Sequence, residues 1–99
     1  MFEIIGKWTG PTWFAILTLE PYGHHFSVSA QGREPDDGEI SAARTMGLML
    51  GYYPAVELVE VTELHREIGA INSYVRHFTT PAGARLLRGA LDRTKARRT

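Results

Sequence analysis

Apolar and polar residues alternate with a period of two over the first third of the chain, and this pattern predicts strands. In the segment 2–8, Phe2, Ile4 and Trp8 fall on one face, with Glu3 and Lys7 on the other. Thr9-Gly10-Pro11-Thr12 reads as a turn, because proline fixes φ and removes a ladder donor while glycine relaxes the backbone. Trp13 to Glu20 is apolar on both faces, as suits a strand covered on both sides. After a second turn at Pro21-Tyr22-Gly23, residues 25–30 alternate again, with Phe26, Val28 and Ala30 inward and His25, Ser27 and Ser29 outward. The natural product is an antiparallel meander in which Trp8 and Trp13 pair across the first hairpin.

The period then changes. A polar loop from Gln31 to Gly38 ends in Asp36 and Asp37, either of which can cap a helix over 39–52, and Glu39 adds favourable charge to its first turn. This helix buries Ile40, Ala43, Met46 or Gly47, and Leu50, and from Met46 onward it is apolar almost all round. Gly47 and Gly51 lie one turn apart, where another backbone can approach; the plainer reading is that Gly51 loosens the helix end before Pro54. Residues 56–61 are rich in β-branched side chains and predict a strand. Val61, Leu64, Ile68, Ile71, Val75 and Phe78 then follow a 3-4-3-4 spacing, which predicts a helix over 63–78 capped by Thr62. The alternative is one long helix starting at Pro54. Thr80 and Pro81 are the punctuation of a last helix over 80–98, with Leu86, Leu87, Ala90 and Leu91 as its apolar stripe. The sum is a single α+β domain over 1–99: a three- to four-stranded, mainly antiparallel sheet packed with three helices, in the order βββαβαα.

Charge sharpens this picture. Residues 80–99 carry six cations (Arg85, Arg88, Arg93, Lys95, Arg97, Arg98) and one anion, Asp92, whereas residues 1–79 carry five cations and ten anions. A basic tail of net +5 on a body of net −5 points to an anionic partner, or to a tail folded back on Glu34, Asp36, Asp37 and Glu39. Formal neutrality of the whole chain limits solubility unless a partner or a second copy covers the surface. The surplus of apolar residues Met46, Leu48, Met49, Tyr52 and Tyr53 nominates the self-associating surface of a homodimer.

Candidate chemistry is sparse. With no cysteine, disulfides, zinc–thiolate sites and thiol nucleophiles are excluded. Of the four histidines, His24 and His25 are adjacent and point to opposite faces of a strand. On a single helix, His65 and His77 stand roughly 18 Å apart along the axis. Neither pair has metal-ligand spacing, so no metal site and no cofactor are expected. Glu3, Glu39 and Glu57 or Glu60 occupy the elements that carry the metal-binding carboxylates of a ribonuclease H-type nuclease, but no aspartate lies on those strands. The element order also resembles the small antitoxin domain of HicB type, a truncated ribonuclease H-like fold, which implies that such a fold can serve without catalysis. No phosphate-binding loop, dinucleotide fingerprint or nucleophile elbow is present. The chain reaches Lys7 before any signal-peptide core forms, and its longest apolar stretch falls far short of the roughly 20 residues that span a bilayer. The expectation is therefore a small cytoplasmic, non-enzymatic binding protein: a regulator or inhibitor acting through a protein partner, of the bacterial or phage accessory kind. A nucleic-acid-binding protein using the basic helix is the alternative, and a metal-dependent nuclease comes third.

Overall fold

The computed structural model describes residues 2–21, 23–52, 57–69 and 74–98, the side chains of 97 and 98 excepted. Three strands, β1 (Glu3–Thr9), β2 (Trp13–Glu20) and β3 (Gly23–Ala30), form the expected meander. They are followed by α1 (Asp37–Met49), β4 (Val59–Glu60), α2 (Thr62–Ile68), β5 (Val75–Thr79) and α3 (Pro81–Arg98). The sheet is antiparallel, in the order β1-β2-β3-β5-β4. The α+β class holds, and the expected succession βββαβαα is kept with one strand inserted before its last helix, so that the sheet has five strands where three or four were expected. The additional strand, β5, forms between the last two helices, inside the segment read as helical.

That difference has a local cause. Gly69 sits at φ +111°, a left-handed conformation that glycine tolerates, and its N–H caps the carbonyls of His65 and Arg66. The helix therefore ends at Ile68, nearly three turns before the 3-4 spacing runs out at Phe78, and Ile71 lies outside the described residues. From Val75 onward, Val75, His77 and Thr79 alternate with Arg76 and Phe78 and complete the open ladder of β3, with Phe26 opposite Phe78 and Ser27 opposite His77. Val75 and Phe78 fit either period; the free edge of β3 decides between them. Thr62, expected to cap the helix from outside, is its first residue, and its buried hydroxyl donates to Glu60 and accepts from the His77 N–H. Of the strand expected over 56–61, Val59–Glu60 is paired, and Val56 lies outside the described residues.

One face of the sheet holds the core. Trp8, Ala15, Leu17, Phe26, Val28 and Phe78 pack there against Ile40 and Ala43 of α1. Asp36 starts α1 with a capping box, its carboxylate accepting from the Glu39 N–H at 2.8 Å while the Glu39 carboxylate accepts from the Asp36 N–H at 2.9 Å. Gly47 is buried, whereas Met46 and Leu50 are exposed, so the helix buries a narrower stripe than expected. Gly51 at φ +73° ends the helix in a left-handed turn. Trp8 stands opposite Ala15 and touches Phe26 and Tyr52, while Trp13 stands opposite Ala30 and folds over Gly10; the two tryptophans do not pair. A register shift between Ile4 and Gly6 also turns Ile4 away from the face of Trp8, leaving Phe2 and Ile4 exposed.

The second face carries Phe14, Ile16, Thr18, Glu20, His25, Ser27, Ser29 and His77, by strand parity. On its β3–β5 side α2 packs on β5, α3 packs on both strands, and the two helices pack on each other. Among the described residues no helix is long and apolar enough to cross a membrane.

Candidate functional site

Where α2 meets the second face, three histidines converge. The β3–β5 register sets Ser27 opposite His77 and His25 opposite Thr79, so His25 and His77 are diagonal neighbours on one surface. The first turn of α2 brings His65 over them. The ring centroids of His65 and His77 are 4.2 Å apart, those of His25 and His77 5.1 Å, and those of His25 and His65 5.3 Å, with all planes within 10° of parallel. The 18 Å separation expected for His65 and His77 is overturned, because α2 ends at Ile68 and His77 lies on β5 instead of on a continued helix. One ring nitrogen from each of the three lies within 4.8 Å of the others.

The hydrogen bonds assign the tautomers. Glu20, two residues beyond the partner of His25 on β2, places a carboxylate oxygen 3.0 Å from His25 Nδ1. A carboxylate only accepts, so His25 Nδ1 bears the hydrogen and, in the neutral ring, Nε2 is the acceptor. His25 Nε2 lies 2.9 Å from His77 Nδ1, which must then donate. The chain Glu20–His25–His77 is thus ordered, and it leaves the Nε2 lone pair of His77 without a proton. Burial pushes all three pKa values down. That of His77 falls to about 4, through desolvation and then the nearby charges that His65, His25 and Arg66 carry or acquire. His65 is lowered by desolvation and by His25. His25 is lowered by desolvation against the opposing pull of Glu20. At neutral pH the cluster is three uncharged imidazoles.

His24, on the neighbouring position of β3, is outside this group. The nuclease carboxylates are not brought together. Glu3 and Glu60 lie on β1 and β4, the two opposite edges of the sheet, and Glu57 is exposed just before β4. Glu39 caps α1 and bonds Arg33 and Thr12, with its pKa lowered to about 2 by those donors and the Asp36 backbone. A cleft of about 440 Å³ between β4 and α2 is lined by Glu34, Glu60, Glu63, Arg66 and Arg76. Its cations are answered by its own carboxylates: Arg66 bonds Glu34 and Glu63, and Arg76 bonds Glu60.

The basic helix forms as expected, with the Thr80 hydroxyl accepting from the Gly83 N–H at 3.2 Å. Arg85, Arg88, Arg93 and Lys95 are all exposed. Arg97 and Arg98 extend the same helix. Among the described residues the tail does not fold onto the acidic loop. Glu39 is taken by Arg33, Glu34 by Arg66 and Asp37 by Arg76, while Asp36 caps α1. Lys95 approaches Glu67 at 3.9 Å, and among the described residues Arg85, Arg88 and Arg93 pair with no carboxylate. Of the residues nominated for self-association, Met46, Leu48, Met49 and Tyr52 are exposed, Met49 to 81%, and Tyr53 lies outside the described residues. Tyr52 packs over Gly6 and Trp8, which joins this ridge to β1, an edge strand.

The sequence could have disclosed the histidine cluster through Gly69 and the Val75-x-His77-x-Thr79 alternation, which together mark a helix stop and a strand. No protein-family model matches this chain, and neither a curated protein nor a solved structure is significantly similar to it.

Proposed function

We propose that this is a small non-enzymatic binding protein that presents the outer face of α3 to nucleic acid. The observation supporting this reading is the charge arrangement: the acidic body meets its own arginines, while the described cations of α3, Arg85, Arg88, Arg93 and Lys95, remain exposed and almost unanswered. Residues 92–96 are all exposed and include no large apolar side chain, so this end of the helix lacks the buried anchor of a protein interface. Its affinity has to come from charge, and displacement of condensed counterions makes a phosphate polymer the partner that rewards charge most.

Anisotropy titrations with mixed-sequence DNA and RNA at about 150 mM salt test the reading. Submicromolar binding is expected, with a log–log salt slope of about −3 to −4 if the four described cations each meet a phosphate. Arg88→Glu combined with Arg93→Glu is expected to abolish binding without unfolding the chain, since both side chains are exposed and Leu91 alone of this stretch is buried. Binding weaker than about 100 μM, or insensitive to salt, would defeat the proposal.

A second reading is favoured by the ridge formed by Leu48, Met49, Leu50 and Tyr52 beside the unpaired edge of β1. It makes the protein a regulator that acts as a homodimer, a second copy covering both the ridge and the strand edge. Light scattering at micromolar concentration is then expected to give twice the chain mass, and Met49→Asp to give a monomer. A monomer for the parent chain across a hundredfold dilution rules this out.

A further inference from the structure

We propose that His25, His65 and His77 form a binding site for one divalent first-row transition-metal ion of the zinc type, with Glu20 as a positioning residue. The site is independent of the α3 surface. Three elements bring it together, β3, α2 and β5, and one nitrogen from each ring already lies within 4.8 Å of the others.

The donor set is all imidazole, without thiolate. That selects zinc, cobalt, nickel or copper over magnesium and calcium, which require oxygen ligands. In a tetrahedral centre with Zn–N near 2.0–2.1 Å, donor nitrogens stand about 3.3 Å apart. The His25–His77 pair, at 2.9 Å, opens by a few tenths of an ångström, and the wider separations close by about 1–1.5 Å. Both changes come from ring rotation about χ2, which also turns the parallel lone pairs toward one point. His65 is only half-buried and, among the described residues, makes no hydrogen bond that the ion would have to break.

Glu20 supplies the arrangement that most often backs a metal-bound histidine. Its carboxylate holds Nδ1–H of His25, so Nε2 faces the other two rings. On binding, the ion takes the place of the shared hydrogen between His25 Nε2 and His77 Nδ1. That proton moves to His77 Nε2, keeping the ring neutral, so coordination by three neutral imidazoles releases no net proton. The cluster sits at the margin of the second face, beside Ser27 and Ser29, where water can reach the fourth position of the ion.

The test uses the untagged full chain, stripped with chelator, titrated with zinc by calorimetry and with cobalt by absorption. One zinc per chain is expected at about micromolar Kd or tighter, with the intense visible bands of tetrahedral cobalt and a raised unfolding midpoint. His65→Ala and His77→Gln are each expected to weaken zinc at least a hundredfold, and His24→Ala to leave it unchanged. Glu20→Gln is expected to weaken zinc about tenfold while the unfolding midpoint of the metal-free protein stays put. Absence of saturable binding to about 100 μM zinc overturns the site. So does affinity unchanged in His65→Ala, or an equal loss in His24→Ala. Should His77→Gln not fold, the cobalt spectrum of the parent chain decides: a weak octahedral spectrum counts against the site and a tetrahedral one for it.

Discussion

Arg76→Ala is expected to destabilise the fold by about 3 kcal/mol, read as a lowered urea midpoint with unchanged m-value. Arg76 projects from β5 on the core side, where its guanidinium lies 5.9 Å from the Phe78 ring. It donates to both oxygens of Glu60, at 2.8 and 2.7 Å, to Asp37 at 2.9 Å and to the Pro35 carbonyl at 3.3 Å. One side chain thus ties the loop before α1 to the two C-terminal strands of the sheet. Its side chain is only 19% exposed, so this is not a solvated surface pair. Truncation leaves Glu60 half-covered with Thr62 as its remaining donor. The bond also has a pH signature. Glu60 is held below its ordinary value by Arg76, so its contribution is complete above the unfolded carboxylate range and is lost as pH falls through the lowered folded value. The variant is expected to lose part of this acid sensitivity. A midpoint within error of the parent would show that the network adds nothing.

Metal-free protein is expected to lose about 2 kcal/mol of stability between pH 7.5 and pH 4.5 through the histidine cluster, after allowance for solvent screening of half-buried rings. The sign follows from the direction of the shifts. All three folded pKa values are lowered from an unfolded value near 6.5, that of His77 to about 4. Between those limits the unfolded chain binds more protons than the folded one, so stability is complete above the unfolded pKa and drains away as pH falls toward the folded values. Glu20 opposes this at His25, while His77, lowered to about 4, carries a large share of the effect. Urea titrations across this range check it. His77→Gln is expected to flatten the profile, and a parent profile already flat from pH 7.5 to 5 would contradict the burial argument.

The order of elements was largely legible because most of it is encoded locally. Alternation over 2–30 and the Asp36 and Thr80 caps act within a few residues, and the elements they define, β1, β2, β3, α1 and α3, stand within two or three residues of their expected limits. The misreadings share one feature. The face of Ile4, the partners of Trp8 and Trp13, and the strand at Val75–Thr79 all depend on the register or free edge of a strand distant in sequence. A bulge of one residue reverses every side chain before it, and nothing in the local pattern of 2–8 announces that bulge. The long seam from Val61 to Phe78 was the costliest case, since 3-4 spacing and strand alternation share Val75 and Phe78, and only Gly69 marks the break.

Alone, then, the sequence determined what short-range physics can determine: an α+β chain with an apolar meander, a capped amphipathic helix, and a cationic last helix whose residues face water by their own spacing. Tertiary structure decided the rest. The unfilled ladder of β3 recruited Val75–Thr79 as a strand, and that pairing carried His77 to a place beside His25, 52 residues away in the chain, with Glu20 behind them and His65 above. The same packing gave the acidic loop its own arginines and so left Arg85, Arg88, Arg93 and Lys95 of α3 exposed. Both outcomes depend on which distant groups satisfy a hydrogen bond or a charge first, a competition settled only once the whole chain has folded.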